Sequence, residues 1–159
     1  NENLLEAAFK FATMGGTIDL ACGESESKFH SVADAVKKAK EEGVPMEKVT
    51  MSSDGQGSWS NYDAEGKLVE IGVSDVDTIY RQIVYMVKEE NMDLEELLAL
   101  GTKNPAMALE LYPKKGAVKE ESDADILIMN EDLSLDTVIA MGVPMMRDGK
   151  ILKKGTYEK

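Results

Sequence analysis

Apolar positions in the first third of the chain follow two alternating periods. Leu4, Leu5, Ala8, Phe11 and Ala12 recur at helical spacing, and Gly15-Gly16 stops the pattern. Thr17–Ala21 reads as a short strand. Ser31-Val-Ala-Asp34 reads as a capping box, in which the Ser and Asp side chains satisfy free N–H groups at a helix start. Val32, Ala35, Val36 and Ala39 give that helix one apolar face, which ends at Gly43 with Pro45 beyond. Val49–Ser53 is a second strand. The order helix, strand, helix, strand is that of a parallel α/β sheet or barrel.

A polar stretch follows, Asp54–Gly66, with glycines at 55, 57 and 66. It is longer than an ordinary βα loop, and long loops in compact domains are often functional. Ser74 with Asp77 predicts a cap for a helix whose apolar face is Val76, Ile79, Tyr80, Ile83 and Val87. Asp93 with Glu96 predicts another cap, ahead of Leu94, Leu97 and Leu98. Asn104-Pro105 opens a third helix, because Asn is a good N-cap and Pro suits the first helical position. After Pro113 the style changes. Ala124–Met129, Thr137–Ala140, Pro144–Met146 and Lys150–Leu152 read as short strands, and Asp148-Gly149 is the clearest hairpin signal. The expected division is an α/β part over residues 1–112 and a β part over 113–159.

Composition narrows the function classes. The 159 residues are 43% hydrophobic and 30% charged, ordinary values for a globular chain with a real core. No apolar run approaches the ~18 residues of a membrane span. No secretory signal is visible, and the start at Asn1 without Met fits a processed or truncated terminus. A net charge of −12 argues against nucleic acid, since the only basic knot, Lys37, Lys38 and Lys40, is followed at once by Glu41 and Glu42. The single Cys22 excludes an intrachain disulfide and fits a reducing cytoplasm. No thiol-enzyme signature surrounds it or the nearby His30, so an inert thiol is expected.

Candidate chemistry gathers after the second strand. In α/β barrels the active site lies at the C-terminal strand ends. Asp54 sits at such an end, where a carboxylate can bind a metal ion or shuttle protons. The glycines of Asp54-Gly-Gln-Gly-Ser58 would let backbone N–H groups approach a substrate anion. Asp-Gly is also a common turn dipeptide, and position alone leaves both readings open.

Several short segments together, in their order, resemble the amidohydrolase superfamily. Val49-Thr-Met-Ser-Ser-Asp54-Gly-Gln-Gly-Ser58 is similar to the eighth barrel strand and catalytic loop of isoaspartyl dipeptidases. Ala12-Thr-Met-Gly-Gly-Thr-Ile-Asp-Leu20 resembles the preceding helix end and seventh strand. Lys67-Leu-Val-Glu-Ile-Gly-Val73 and Thr102-Lys-Asn-Pro-Ala106 follow in the family's order. Ser122-Asp-Ala-Asp-Ile-Leu-Ile-Met129 resembles the return to a small β-sandwich. Val143-Pro-Met-Met-Arg-Asp-Gly-Lys150 and Lys154-Gly-Thr-Tyr-Glu158 resemble its final strands.

The resemblance implies the C-terminal part of a metal-dependent (β/α)8 barrel followed by a small β-sandwich segment. It implies a cytoplasmic parent enzyme that hydrolyses isoaspartyl (β-aspartyl) dipeptides with two divalent metal ions, expected to be zinc. Asp54 corresponds to a carboxylate that is both metal ligand and catalytic proton carrier. Ser58 matches the position that holds a substrate carboxylate. Arg81 and Arg147 fall on no substrate motif and are expected to be surface or structural. The family's His ligands and its carbamylated lysine would lie upstream, because this chain holds one His, His30, near a helix cap. By the resemblance Asn1 follows the sixth strand. The segment alone is therefore expected to hold no metal, to be inactive, and to form a homo-oligomer or bind the missing N-terminal part through an apolar inner barrel face. The substrate partner is a small dipeptide, with neither nucleic acid nor membrane expected. Another amidohydrolase (imidase, dihydroorotase-like or deacetylase) and a non-catalytic acidic binding module are the alternatives.

Overall fold

Leu5, Ala8, Phe9 and Ala12 share one side of the first helix, α1 (Glu2–Thr13), and Phe9 and Ala12 are buried there. The stripe is thus centred on Phe9, and Leu4 and Phe11 lie on its exposed flanks. The computed structural model describes residues 2–23 and 25–155. Gly15, at φ +97°, makes the left-handed exit from α1, a conformation costly for residues with a Cβ. The chain then enters β1 (Ile18–Ala21).

α2 spans Glu26–Glu41 and begins a turn and a half before the expected cap. Ser25 is the N-cap, and its hydroxyl accepts from the Lys28 amide at 3.3 Å. Ser31 lies inside the helix and donates back to the Lys28 carbonyl at 3.0 Å. The polar Ser25–Lys28 run carries no apolar periodicity, which hid the true start. His30 is accordingly within α2, where its Nδ1 stands 2.6 Å from the Tyr85 hydroxyl.

β2 (Val49–Ser52) pairs parallel with β1, from Ile18 opposite Val49 to Ala21 opposite Ser52. Ile18, Val49 and Met51 pack with residues of α1 and α2 and of two helices further on. Burial of such side chains contributes roughly 1.5–3 kcal/mol each. Asp19, Ala21, Thr50 and Ser52 occupy the other face, because successive strand residues alternate sides. On that face the Asp19 carboxylate accepts from Thr50 Oγ1 at 2.7 Å and from Ser52 Oγ at 2.5 Å. The expected apolar inner face is therefore polar.

The stretch 54–66 is not the open loop expected from its polarity. Ser58–Tyr62 forms β3, paired antiparallel with β4 (Leu68–Val73) in an isolated two-stranded ribbon. Ser and Asn at exposed ribbon positions weaken the alternation that marks a half-buried strand. Trp59 lies across Gly72, where an added Cβ would come within 2.2 Å of its ring. Val69, Ile71 and Val73 stand on the opposite face, 67%, 66% and 62% exposed.

α3 (Thr78–Lys88) buries Thr78, Gln82, Ile83 and Met86. Asp77 holds the N-cap position without a side-chain cap bond, because its carboxylate accepts from Arg81 Nε at 3.0 Å. Val76 precedes the helix and is exposed. α4 (Leu94–Gly101) begins as expected, with Asp93 Oδ1 accepting from the Glu96 amide at 2.9 Å. In α5 (Lys103–Ala108) the N-cap position falls on Thr102 rather than Asn104, and Thr102 makes no side-chain cap bond because its hydroxyl donates to the Leu98 carbonyl. Asn104 is buried one position inside, and its Nδ2 donates to the carbonyls of Met46 (2.7 Å) and Val49 (2.8 Å). It thereby ties down the N-terminal end of β2.

β5 (Ile126–Met129), β6 (Leu135–Ala140), β7 (Val143–Arg147) and β8 (Lys150–Ile151) form one antiparallel sheet in chain order. Asp148 and Gly149, at φ +50° and +69°, make the β7–β8 turn with the positive φ values of a tight hairpin. Tyr80 of α3 donates to the Leu133 carbonyl at 2.7 Å and joins this sheet to the helices. The final expected segment, Lys154–Glu158, runs beyond the described residues from position 156.

Candidate functional site

The C-terminal end of β2 carries the candidate chemistry. Cys22 N–H donates to the Ser52 carbonyl at 2.8 Å, the last bond holding β2 to its neighbour. The chain then turns away. Ser53 Oγ accepts from the Gly55 amide at 3.1 Å, and Thr78 Oγ1 at the start of α3 donates to the Ser53 carbonyl at 3.2 Å. Asp54 follows at φ +49°, and its carbonyl accepts from Gly57 N–H at 2.9 Å. Left-handed backbone in an Asp is uncommon and is tolerated here within a closed turn.

The ribbon fixes the far side of this turn. Gln56 N–H donates to the Ser74 carbonyl (2.8 Å) and Ser74 N–H to the Gly57 carbonyl (2.9 Å), which extends the β3–β4 pairing to the turn itself. Backbone amides that could have cradled an anion, those of Gly55, Gln56 and Gly57, are thus already bonded within the protein. Asp54 and Ser58 are both exposed, Ser58 as the first residue of β3 opposite Val73. A carboxylate so placed can accept and return a proton, and a hydroxyl can hold an anionic group.

A cavity of about 570 Å³ lies elsewhere, between α2, α4, α5 and the 3-10 turn Met46–Lys48. Asp54 is not among its lining residues, and the cavity adjoins the opposite end of β2. Among the described residues no group of three or more His, Cys, Asp or Glu gathers as a metal site. His30 instead belongs to a surface chain that links α2 to α3. Tyr85 OH meets His30 Nδ1 and donates to Glu90 Oε1 at 3.1 Å, while Glu90 Oε2 accepts from Lys37 Nζ at 2.5 Å. The hydrogen bond from Lys37 holds the Glu90 carboxyl below its ordinary range. Cys22 is 4% exposed, and burial pushes its thiol up to about 11, as expected of an inert cysteine. Arg81 pairs with Asp75 and Asp77, a structural role at the α3 start.

Two polar neighbours of the Asp54 turn escaped notice in the sequence, Asp19 and Thr78. Their only signal was a polar side chain within the short Ile18–Ala21 strand and a hydroxyl beside a cap; the bonding partners are distant in the chain.

Residues 5–152 match the family model described as Amidohydrolase family. Among solved structures, the chain is similar to the beta-aspartyl dipeptidase of Fervidobacterium islandicum AW-1 in complex with the beta-Asp-Leu dipeptide. That likeness has 34% identity and a TM-score of 0.81, and covers 98% of this chain and 40% of that one. A second structure of the same protein matches with 31% identity and a TM-score of 0.77, over 99% of this chain and 38% of that one. The N-acetylglucosamine-6-phosphate deacetylase of Pasteurella multocida shares the fold, with 18% identity and a TM-score of 0.56 over 72% of this chain and 34% of its own length. The chain spans about two fifths of the dipeptidase structures it matches. With its mixed α/β architecture and a family match running from α1 to just past β8, this chain belongs to the amidohydrolase family.

Proposed function

We propose that this chain supplies Asp54 and the turn through Ser58 to an active site that hydrolyses β-aspartyl dipeptides. One observation carries the reading: an exposed carboxylate at the C-terminal end of a parallel strand, in a chain 34% identical over 98% of its length to a beta-aspartyl dipeptidase holding beta-Asp-Leu. In this reading β1 and β2 are two strands of a (β/α)8 barrel, and β5–β8 contribute one layer of a β-sandwich. Strands supplied from beyond this segment complete both. A reducing, cytoplasmic setting fits the lone buried Cys22.

Asp54 would take the proton of the attacking water as oxygen bonds to the side-chain amide carbon. It would then pass that proton to the leaving amine as the C–N bond breaks, so the carboxylate ends as it began. Ser58 would hold a substrate carboxylate through its hydroxyl. The described residues do not by themselves form a site for the two divalent ions, zinc, expected of the parent. Asp54 is one carboxylate donor toward it, and the remaining ligands would come from polypeptide outside this segment.

The test is hydrolysis of beta-Asp-Leu by the full-length protein. Turnover lost on Asp54→Asn, with a raised KM on Ser58→Ala, supports the reading. A full-length protein that ignores beta-Asp-Leu but opens a cyclic imide or deacetylates an amino sugar would replace it with one of the alternatives.

A further inference from the structure

We propose that Asp19 and Thr78 are positioning residues that hold the Asp54 carboxylate in its working direction from two sides. The inference rests on Asp54 acting as proposed above.

The geometry is that of a braced strand tip. Asp19 lies on the face of the sheet turned away from the helices, opposite Thr50 and two residues before Ala21, the strand partner of Ser52. Its two carboxylate oxygens are divided between two hydroxyls on the same side of β2, Oδ1 with Thr50 at 2.7 Å and Oδ2 with Ser52 at 2.5 Å. Charge-assisted bonds to an ionised oxygen are roughly twice as strong as neutral ones. Ser52 is only two residues before Asp54, so this bridge fixes the strand where it stops being a strand. Thr78 acts from the other side. It is fully buried, and its Oγ1 donates at 3.2 Å to the carbonyl of Ser53, the peptide unit directly preceding Asp54. Asp54 itself sits in left-handed backbone at φ +49°, a costly conformation that persists only where the surrounding structure holds it. Asp19 is not needed to build the helical core, since the packed residues of β1 and β2 lie on the opposite face. Thr78 is itself buried, so a shape-preserving Val and a hydroxyl-preserving Ser are compared at that position. Both bond within two residues of Asp54, one from β1 and one from α3.

Asn104 supplies an internal control, because it braces the opposite end of the same strand through Met46 and Val49. Aiming and general stability can therefore be separated by comparing the two ends of β2. The experiment uses the full-length protein with beta-Asp-Leu as substrate and the variants Asp19→Ala, Thr78→Val, Thr78→Ser and Asn104→Ala. Residues that orient a working group typically alter activity about 10–100-fold when removed. We expect losses of that size in kcat for Asp19→Ala and Thr78→Val with KM little changed, and recovery of most of kcat in Thr78→Ser. Asn104→Ala should lower the melting temperature while kcat stays near wild type. Unchanged kcat in Asp19→Ala and Thr78→Val, or a loss matched by Asn104→Ala, would overturn the inference.

A second readout does not depend on turnover. Hydrogen exchange at the Gly57 amide, which is bonded to the Asp54 carbonyl, reports the turn directly. It should quicken in Asp19→Ala and Thr78→Val relative to the Met51 amide in the same strand, and should not quicken in Asn104→Ala. Should wild-type protein fail on beta-Asp-Leu, the proposed function falls, and this exchange pattern alone decides the brace. Equal exchange in all variants would sink it.

Discussion

Gly57 and Asp54 are in close contact: the Gly57 amide bonds the Asp54 carbonyl at 2.9 Å, and a Cβ on Gly57 would lie 2.8 Å from both the Asp54 carbonyl oxygen and Asp54 Oδ1. The absence of a side chain at 57 is what leaves room for the carboxylate. Gly57→Ala should displace it together with the Asp54 peptide, a shift confined to this near-surface turn and leaving the rest of the fold intact. Misplacement by an ångström can cost on the order of 100-fold in rate. Steady-state kinetics on the full-length protein, beside an unaltered circular dichroism spectrum, would show this; unimpaired turnover would mean the carboxylate does not work from this position.

Asn104→Ala removes both donors from two carbonyls at the base of β2. The Met46 carbonyl still accepts from the Val49 amide, so the Val49 carbonyl is the acceptor that loses its Asn104 partner, and a loss of about 1–3 kcal/mol is expected. Denaturant midpoints measured at constant m-value would register it.

Cys22 sets an alkaline limit on stability. Burial raises its folded pKa from 9.0 to about 11, so the unfolded state ionises first as pH rises. The folded form consequently loses stability from about pH 9 upward, and the loss levels off near pH 11. Two units correspond to about 2–3 kcal/mol as an upper figure. Cys22→Ala should flatten this part of the pH–stability curve, and Ellman's reagent at pH 8 should react with wild type only as fast as it unfolds. Immediate stoichiometric labelling would contradict the buried thiol.

The isolated 159-residue chain is expected to self-associate at moderate salt and to show no turnover with or without zinc. The polar Asp19–Ser52 face shifts the origin of this association to the ribbon, where Val69, Ile71 and Val73 are exposed beside unpaired strand edges. Light scattering should show the wild-type mass rising with concentration and Ile71→Lys reducing that rise. A sharp monomer at every concentration would show that the ribbon is not adhesive.

Elements with strong local signals were legible in the chain. The Asp93 cap and the Asp148-Gly149 turn bond within a few residues of themselves, and Val49–Met51 is apolar enough to mark a buried strand whatever surrounds it. Misreadings arose where a distant partner decides. Asn104 looks like a cap from its neighbours, but it is drawn inward by carbonyls 55 and 58 residues away. Asp77 spends its carboxylate on Arg81 rather than on the helix end. The ribbon was hidden for another reason: β3 is polar apart from Trp59 and Tyr62, and the alternation of Val69, Ile71 and Val73 in β4 faces solvent rather than a core. Asp54 was found because a strand end followed by glycines is a local pattern. Its two braces come from β1 and α3, and no spacing along the chain announces them.

The ribbon's base pairing, Gln56 with Ser74 and Gly57 with Ser74, also governs how this region can change length. Residues added in pairs at the Asp63–Gly66 tip, one for each strand, extend the ladder outward and leave the Asp54 turn where it is. A single residue added to one strand transfers every side chain beyond it to the other face, and Trp59 would lose its seat on Gly72 if the shift reached the base. The segment between β2 and α3 can therefore grow or shrink by even steps as a telescoping arm, its reach adjustable and its anchorage constant.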